Sequence, residues 1–121
     1  MTQRDYLLRQ IEMLGEILVA VRNLILGRTT PSEVIHARLR QVSRQGGMDL
    51  ELAQAASPDT LRMLIAPTGE LEPGRCWLLA ESLYLDGMEA QLAGDLPRAQ
   101  DSLAKARMLF SLLGPMGAFL V

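Results

Sequence analysis

Four residues, Gly94-Asp95-Leu96-Pro97, separate two stretches of helical apolar periodicity and constrain this chain more than any other segment. Upstream, Leu79, Leu83 and Ala90, with Gly87 between them, share one helical face at steps of four, four and three. Downstream, Ala99, Leu103, Ala106, Phe110 and Leu113 recur at steps of four, three, four and three. Gly94 suits the left-handed residue that ends a helix, and Asp95 suits the cap of the next. Pro97 is tolerated in a first turn, where backbone N–H groups have no intrahelical acceptor. Gly87 inside an apolar face costs roughly 1 kcal/mol against alanine. Close approach of the second helix, at its small residues Ala99 and Ala106, is the compensation the pattern offers. Gly114-Pro115 stops that helix.

The positions Leu83, Gly87, Ala90, Gly94, Ala99, Leu103 and Ala106 resemble one tetratricopeptide (TPR) unit. The resemblance covers about a third of the chain. It departs at the end, where that family's closing proline falls at Ser111 and Pro115 comes later. The resemblance implies a helical hairpin that stacks on neighbouring helices and holds a protein surface. An ordinary antiparallel helix pair would carry the same small residues for packing alone.

The chain has 121 residues, the usual size of one domain, and is 49% hydrophobic but only 4% aromatic. With few β-branched residues, this balance favours helices over sheet. A single cysteine, Cys76, excludes an intramolecular disulfide and a multi-cysteine metal site, and fits a reducing, cytoplasmic setting. Arg4, Asp5 and Arg9 interrupt any signal-peptide pattern. The longest uncharged run, Met108–Val121 bar its glycines and proline, is too short to span a membrane. Residues 1–47 carry seven arginines against four acids, whereas residues 48–121 carry five basic residues against ten acids. The net charge of −2 makes nucleic acid an unfavoured partner. The asymmetry suits two halves, or two subunits, that face each other.

Residues 3–27 read as one long helix. Leu7, Ile11, Leu14, Leu18, Val21 and Ile25 form a heptad-like seam and are the candidate interaction surface. Leu8, Ile17 and Leu24 widen it, so the helix buries more than one flank. Two readings follow: a core helix wrapped by its own chain, or a core helix whose further flank packs on a second copy. Arg4-Asp5-Tyr6, Arg9 and Ile11-Glu12, together with the C-terminal hairpin, resemble a family of small bacterial helical proteins with no activity attached to it. That resemblance implies a small cytoplasmic helical protein and nothing about chemistry.

Thr30-Pro31-Ser32-Glu33 reads as a capping box with proline at the first helical position, opening a helix that turns Ile35, Leu39 and Val42 inward. Ala20 and Gly27 align with Gly87 and Gly94, as if residues 1–45 were a degenerate copy of the C-terminal hairpin. Gly46-Gly47 breaks the chain. Asp49 then caps a short helix to about Ala56, and Ser57-Pro58 opens another that ends before Pro67. Glu72-Pro73 starts the hairpin. The organisation expected is an N-terminal helix pair (1–45), a short-helix linker (46–72), and a TPR-like hairpin with an apolar tail (73–121).

Groups for chemistry are few. His36, Arg40 and Arg44 share a face and form a candidate anion-binding stripe, with the bland reading being a solvated face. His36, the lone histidine, reads as solvated. Cys76 falls in a first helical turn, where the dipole favours thiolate, yet no histidine lies near it in sequence. No phosphate loop is present in the sequence. The uncharged tail 115–121 calls for a docking surface.

The expectation is an all-α fold of about five or six helices, with the TPR-like hairpin packed on the long N-terminal helix. The function expected is a non-catalytic protein-interaction or scaffold module, homodimeric and without cofactor or metal. The alternative is a small-ligand- or nucleic-acid-binding regulator using the arginine-rich second helix.

Overall fold

The computed structural model describes residues 3–114, with side chains from Leu8 onward. It is all-helical: α1 (Gln3–Gly27), α2 (Ser32–Gln45), α3 (Leu50–Ala55), α4 (Pro58–Ile65), α5 (Pro73–Leu92) and α6 (Leu96–Leu113). No strand occurs among the described residues.

The molecule is built around α5. Its apolar residues run nearly all round the helix, and a helix of that kind must be enclosed on every side. Cys76, Leu78, Ala80, Leu83, Leu85 and Ala90 are completely buried. α6 packs antiparallel on one side: Cys76 Sγ–H donates to the Leu109 carbonyl across 3.3 Å, and farther along Gly87 meets Leu103. α1 lies on another side and runs in the same direction as α5. Ile11 abuts Gly74, Gly15 abuts Trp77, and Arg22 comes near Glu81. α2 and α3 close the remaining flank.

The punctuation of the hairpin matches its residues. Gly94 adopts φ +82°, and Asp95 Oδ1 accepts from Arg98 N at 3.3 Å. A Cβ placed on Gly87 would lie 2.7 Å from Leu103 Cγ, so the close approach expected from that glycine is present. Asp49 Oδ1 caps α3 through Leu52 N at 3.1 Å, and Ser57 Oγ caps α4 through Thr60 N at 3.2 Å.

Several expectations are corrected. The capping box at Thr30–Glu33 does not form. Pro31 itself is the N-cap, and the Ser32 hydroxyl donates to Glu89 on α5 instead. α1 does end at Gly27, and it is Arg28 after it that takes the left-handed conformation, at φ 60°. Ala20 is exposed, so it does not occupy a helix crossing as Gly87 does, and the repeat alignment has no packing counterpart there. Residues 46–72 are more than a linker: Leu50, Ala53, Leu61 and Ile65 are buried in the same apolar cluster as the long helices. Lys105, itself buried, ties α6 to α3 by donating to the Gln54 carbonyl. The tail 115–121 lies outside the described residues.

Candidate functional site

The heptad seam is the first residue set to place. Leu14, Leu18, Val21 and Ile25 are each no more than 4% exposed, and Ile11 is half-buried against the same core. The seam is therefore consumed by the chain's own core and is not an interaction surface. Of Leu7, only the backbone is described. The exposed apolar flank of α1 is a different one, carrying Leu8, Val19 and Leu26.

That flank borders an open groove of about 670 Å³ between α1 and α5. Leu8, Ile11 and Val19 form one wall, Trp77 and Tyr84 the other, and Phe110 of α6 contributes at the edge. Gly15 has no side chain to cover the Trp77 indole, and a Cβ there would approach Trp77 Cη2 to 3.1 Å. Among the described residues, Trp77 Nε1 has no hydrogen-bond partner. The rim carries Glu12, Glu16 and Glu81 against a single cation, Arg22. Burial pushes the Glu81 carboxyl above its ordinary range, and the Arg22 charge pulls part of that shift back. The groove thus combines an apolar floor with an acidic rim and one arginine. Sequence reading missed Gly15, Val19, Arg22, Trp77, Glu81 and Tyr84, although the steps of four and three joining Leu8, Glu12, Gly15, Val19, Arg22 and Leu26 were available to find half of the site.

The candidate anion stripe on α2 is split three ways. His36 turns inward, its Nδ1 lying 3.0 Å from Asp86 Oδ1 and 2.7 Å from the Arg98 guanidinium, so it is not the solvated residue expected. Arg40 Nε lies 3.6 Å from Glu51 Oε1, both groups being well exposed. Arg44 is exposed beside a shallow hollow of about 190 Å³ that Asp49 and Glu51 also line. Carboxylates at this position oppose phosphate binding.

Asp86 organises a polar cluster that the sequence did not announce. It is completely buried on α5, yet it draws partners from two other helices. His36 comes from α2; Arg98 and Ser102 come from α6. Arg98 donates to Oδ1, and Ser102 Oγ donates to Oδ2 at 2.9 Å. Burial alone would raise this carboxyl, but the hydrogen bonds from His36, Arg98 and Ser102 outweigh it and hold Asp86 below its ordinary range. Ser102 and His36 both address the carboxylate rather than each other, so the geometry joins helices and does not activate a nucleophile.

Cys76 is likewise occupied. It is inaccessible, and burial pushes its thiol up to about 11. Any dipolar help from the first turn of α5 is overcome, and the thiolate needed for reactivity is suppressed.

No family model and no solved structure matches this chain. The DNA-directed RNA polymerase subunit beta' of Acidovorax ebreus (strain TPSY) is 36% identical to it over 80 residues. The matched stretch covers 62% of this chain and 6% of that protein, so the chain spans a small part of the length of the relative it matches. No helix among the described residues is long and apolar enough to cross a membrane.

Proposed function

We propose that this protein is a non-catalytic interaction or scaffold module that works as a homodimer in the cytoplasm, with a C-terminal hairpin of TPR-like design. The observation that carries the reading is the open apolar groove between α1 and α5. Leu8, Val19 and Tyr84 stand exposed along it while the core behind them is already complete. A monomer leaving that strip in water keeps its hydrophobic penalty, at about 25 cal/mol per Å². Two polar groups with chemical potential, His36 and Cys76, support the reading because both are committed to structural contacts.

The test is association of the full chain against a groove variant. Val19→Asp leaves the core untouched, because Val19 is 59% exposed. The wild type is expected to self-associate on a sizing column with light scattering, and V19D to stay equally helical by circular dichroism but monomeric. A wild type that is monomeric at every concentration, and that binds no apolar dye, contradicts the reading.

A further inference from the structure

The exposed stripe of α1 has an internal symmetry. Leu8, Glu12, Gly15, Val19, Arg22 and Leu26 follow one another at steps of four, three, four, three and four. This is a heptad pattern displaced from the buried seam. Taken about Ile17 as midpoint, the members pair off: Leu8 with Leu26, Glu12 with Arg22, Gly15 with Val19. A stripe that reads the same from both ends, with opposite charges at mirrored places, is complementary to a second copy of itself turned through two-fold rotation.

Resting on the interaction reading above, we infer that the groove is filled by α1 of a second copy, antiparallel to the first, about a two-fold axis level with Ile17 along the helix. Leu8 then packs on Leu26 of the other copy at both ends. Glu12 pairs with Arg22, twice. Val19 enters the gap left by Gly15, where the Trp77 indole forms the floor. A larger residue at 15 would close this gap from both sides, towards Trp77 and towards the incoming valine. The partner helix also shields Glu81 and Tyr84 on the groove wall. Glu16 lies on the outer flank next to the axis, so the two Glu16 carboxylates approach each other and oppose the pairing.

A charge-exchange experiment tests this geometry. Full-length E12R sets a second guanidinium against Arg22 across the pair, and R22E sets a second carboxylate against Glu12. Each variant alone is expected to dissociate about tenfold or more readily than wild type in light scattering. An equimolar mixture of the two allows a mixed dimer in which opposite charges meet at both places, and association recovers towards the wild-type level. Because Arg22 also neighbours Glu81, circular dichroism records that each variant folds. Should R22E lose helicity, R22Q added to E12R removes the arginine clash without reversing the charge at 22, and association returns part-way. A mixture that associates no better than its components, or single variants that dimerise like wild type, overturns the pairing. Dimers indifferent to these charges leave the interaction reading standing. A wild type monomeric throughout and without affinity for apolar dye removes both.

Discussion

Gly87 of α5 and Leu103 of α6 approach so closely that a Cβ on the glycine would sit 2.7 Å from Leu103 Cγ and 3.3 Å from its backbone nitrogen. The contact sets the spacing of the two helices that enclose Cys76, Leu83 and Ala106. Gly87→Ala therefore gains about 1 kcal/mol of helix propensity and loses more to overpacking, for a net destabilisation of roughly 1–2 kcal/mol. Gly74→Ala is the informative contrast. Its Cβ would meet Ile11 Cδ1 at 2.1 Å, but that atom is the end of a half-buried side chain that can rotate aside. Urea midpoints should show G87A clearly below wild type and G74A above G87A.

Asp86 makes the strongest stability prediction. Asp86→Asn leaves His36 and Arg98 facing a neutral amide. The expected cost is about 3 kcal/mol, at the low end for breaking a buried pair because Arg98 stays partly solvated. The pH dependence follows from the lowered carboxyl. The folded state binds the Asp86 proton less tightly than the unfolded chain, so the stabilisation is complete above about pH 4 and drains away as acid protonates the folded carboxyl. The difference in unfolding free energy between wild type and D86N should be constant near neutrality and shrink below about pH 4.

Glu81 has the opposite sign. Its raised carboxyl binds a proton more tightly in the folded state, so ionisation at neutral pH opposes folding. Glu81→Gln should raise the urea midpoint at about pH 7 and leave it little changed well below the carboxylate range.

Cys76 should be silent in the native protein. With its thiol pushed up to about 11 and no exposure, labelling by a disulfide reagent at about pH 8 is expected to follow unfolding. Labelling should be slow in buffer and fast in denaturant. Rapid stoichiometric labelling of the folded chain would contradict the burial.

Most of the fold was legible because its helices announce themselves locally. The turn at Gly94-Asp95, the caps at Asp49 and Ser57 and the 25-residue span of α1 all depend on residues next to one another. What escaped was tertiary. Thr30 and Glu33 fit a local capping box, but Pro31 is the N-cap, and Ser32 beside it is taken by Glu89, 57 positions away. His36 looks solvated on its own helix, and only the docking of α5 brings Asp86 beneath it. The same blindness affected the site. A stripe of steps of four and three predicts that a helix face is apolar, not whether its own chain or another covers it. α1 carries two such stripes, and packing, which periodicity does not encode, assigned the one with Leu14 and Leu18 to the core and left the one with Leu8 and Val19 outside.

The central claim, that α1 pairs antiparallel with its own copy, is tested most directly by cysteine crosslinking at the two ends of the stripe. Leu8 and Leu26 are both about half exposed, and buried Cys76 stays out of the reaction. In the antiparallel pair, residue 8 of one copy meets residue 26 of the other, while like positions stand about 27 Å apart along the helix. Mild oxidation of mixed L8C and L26C should yield a disulfide-linked dimer that neither variant forms alone. A dimer from L8C alone, or no crosslink in the mixture, would contradict the account.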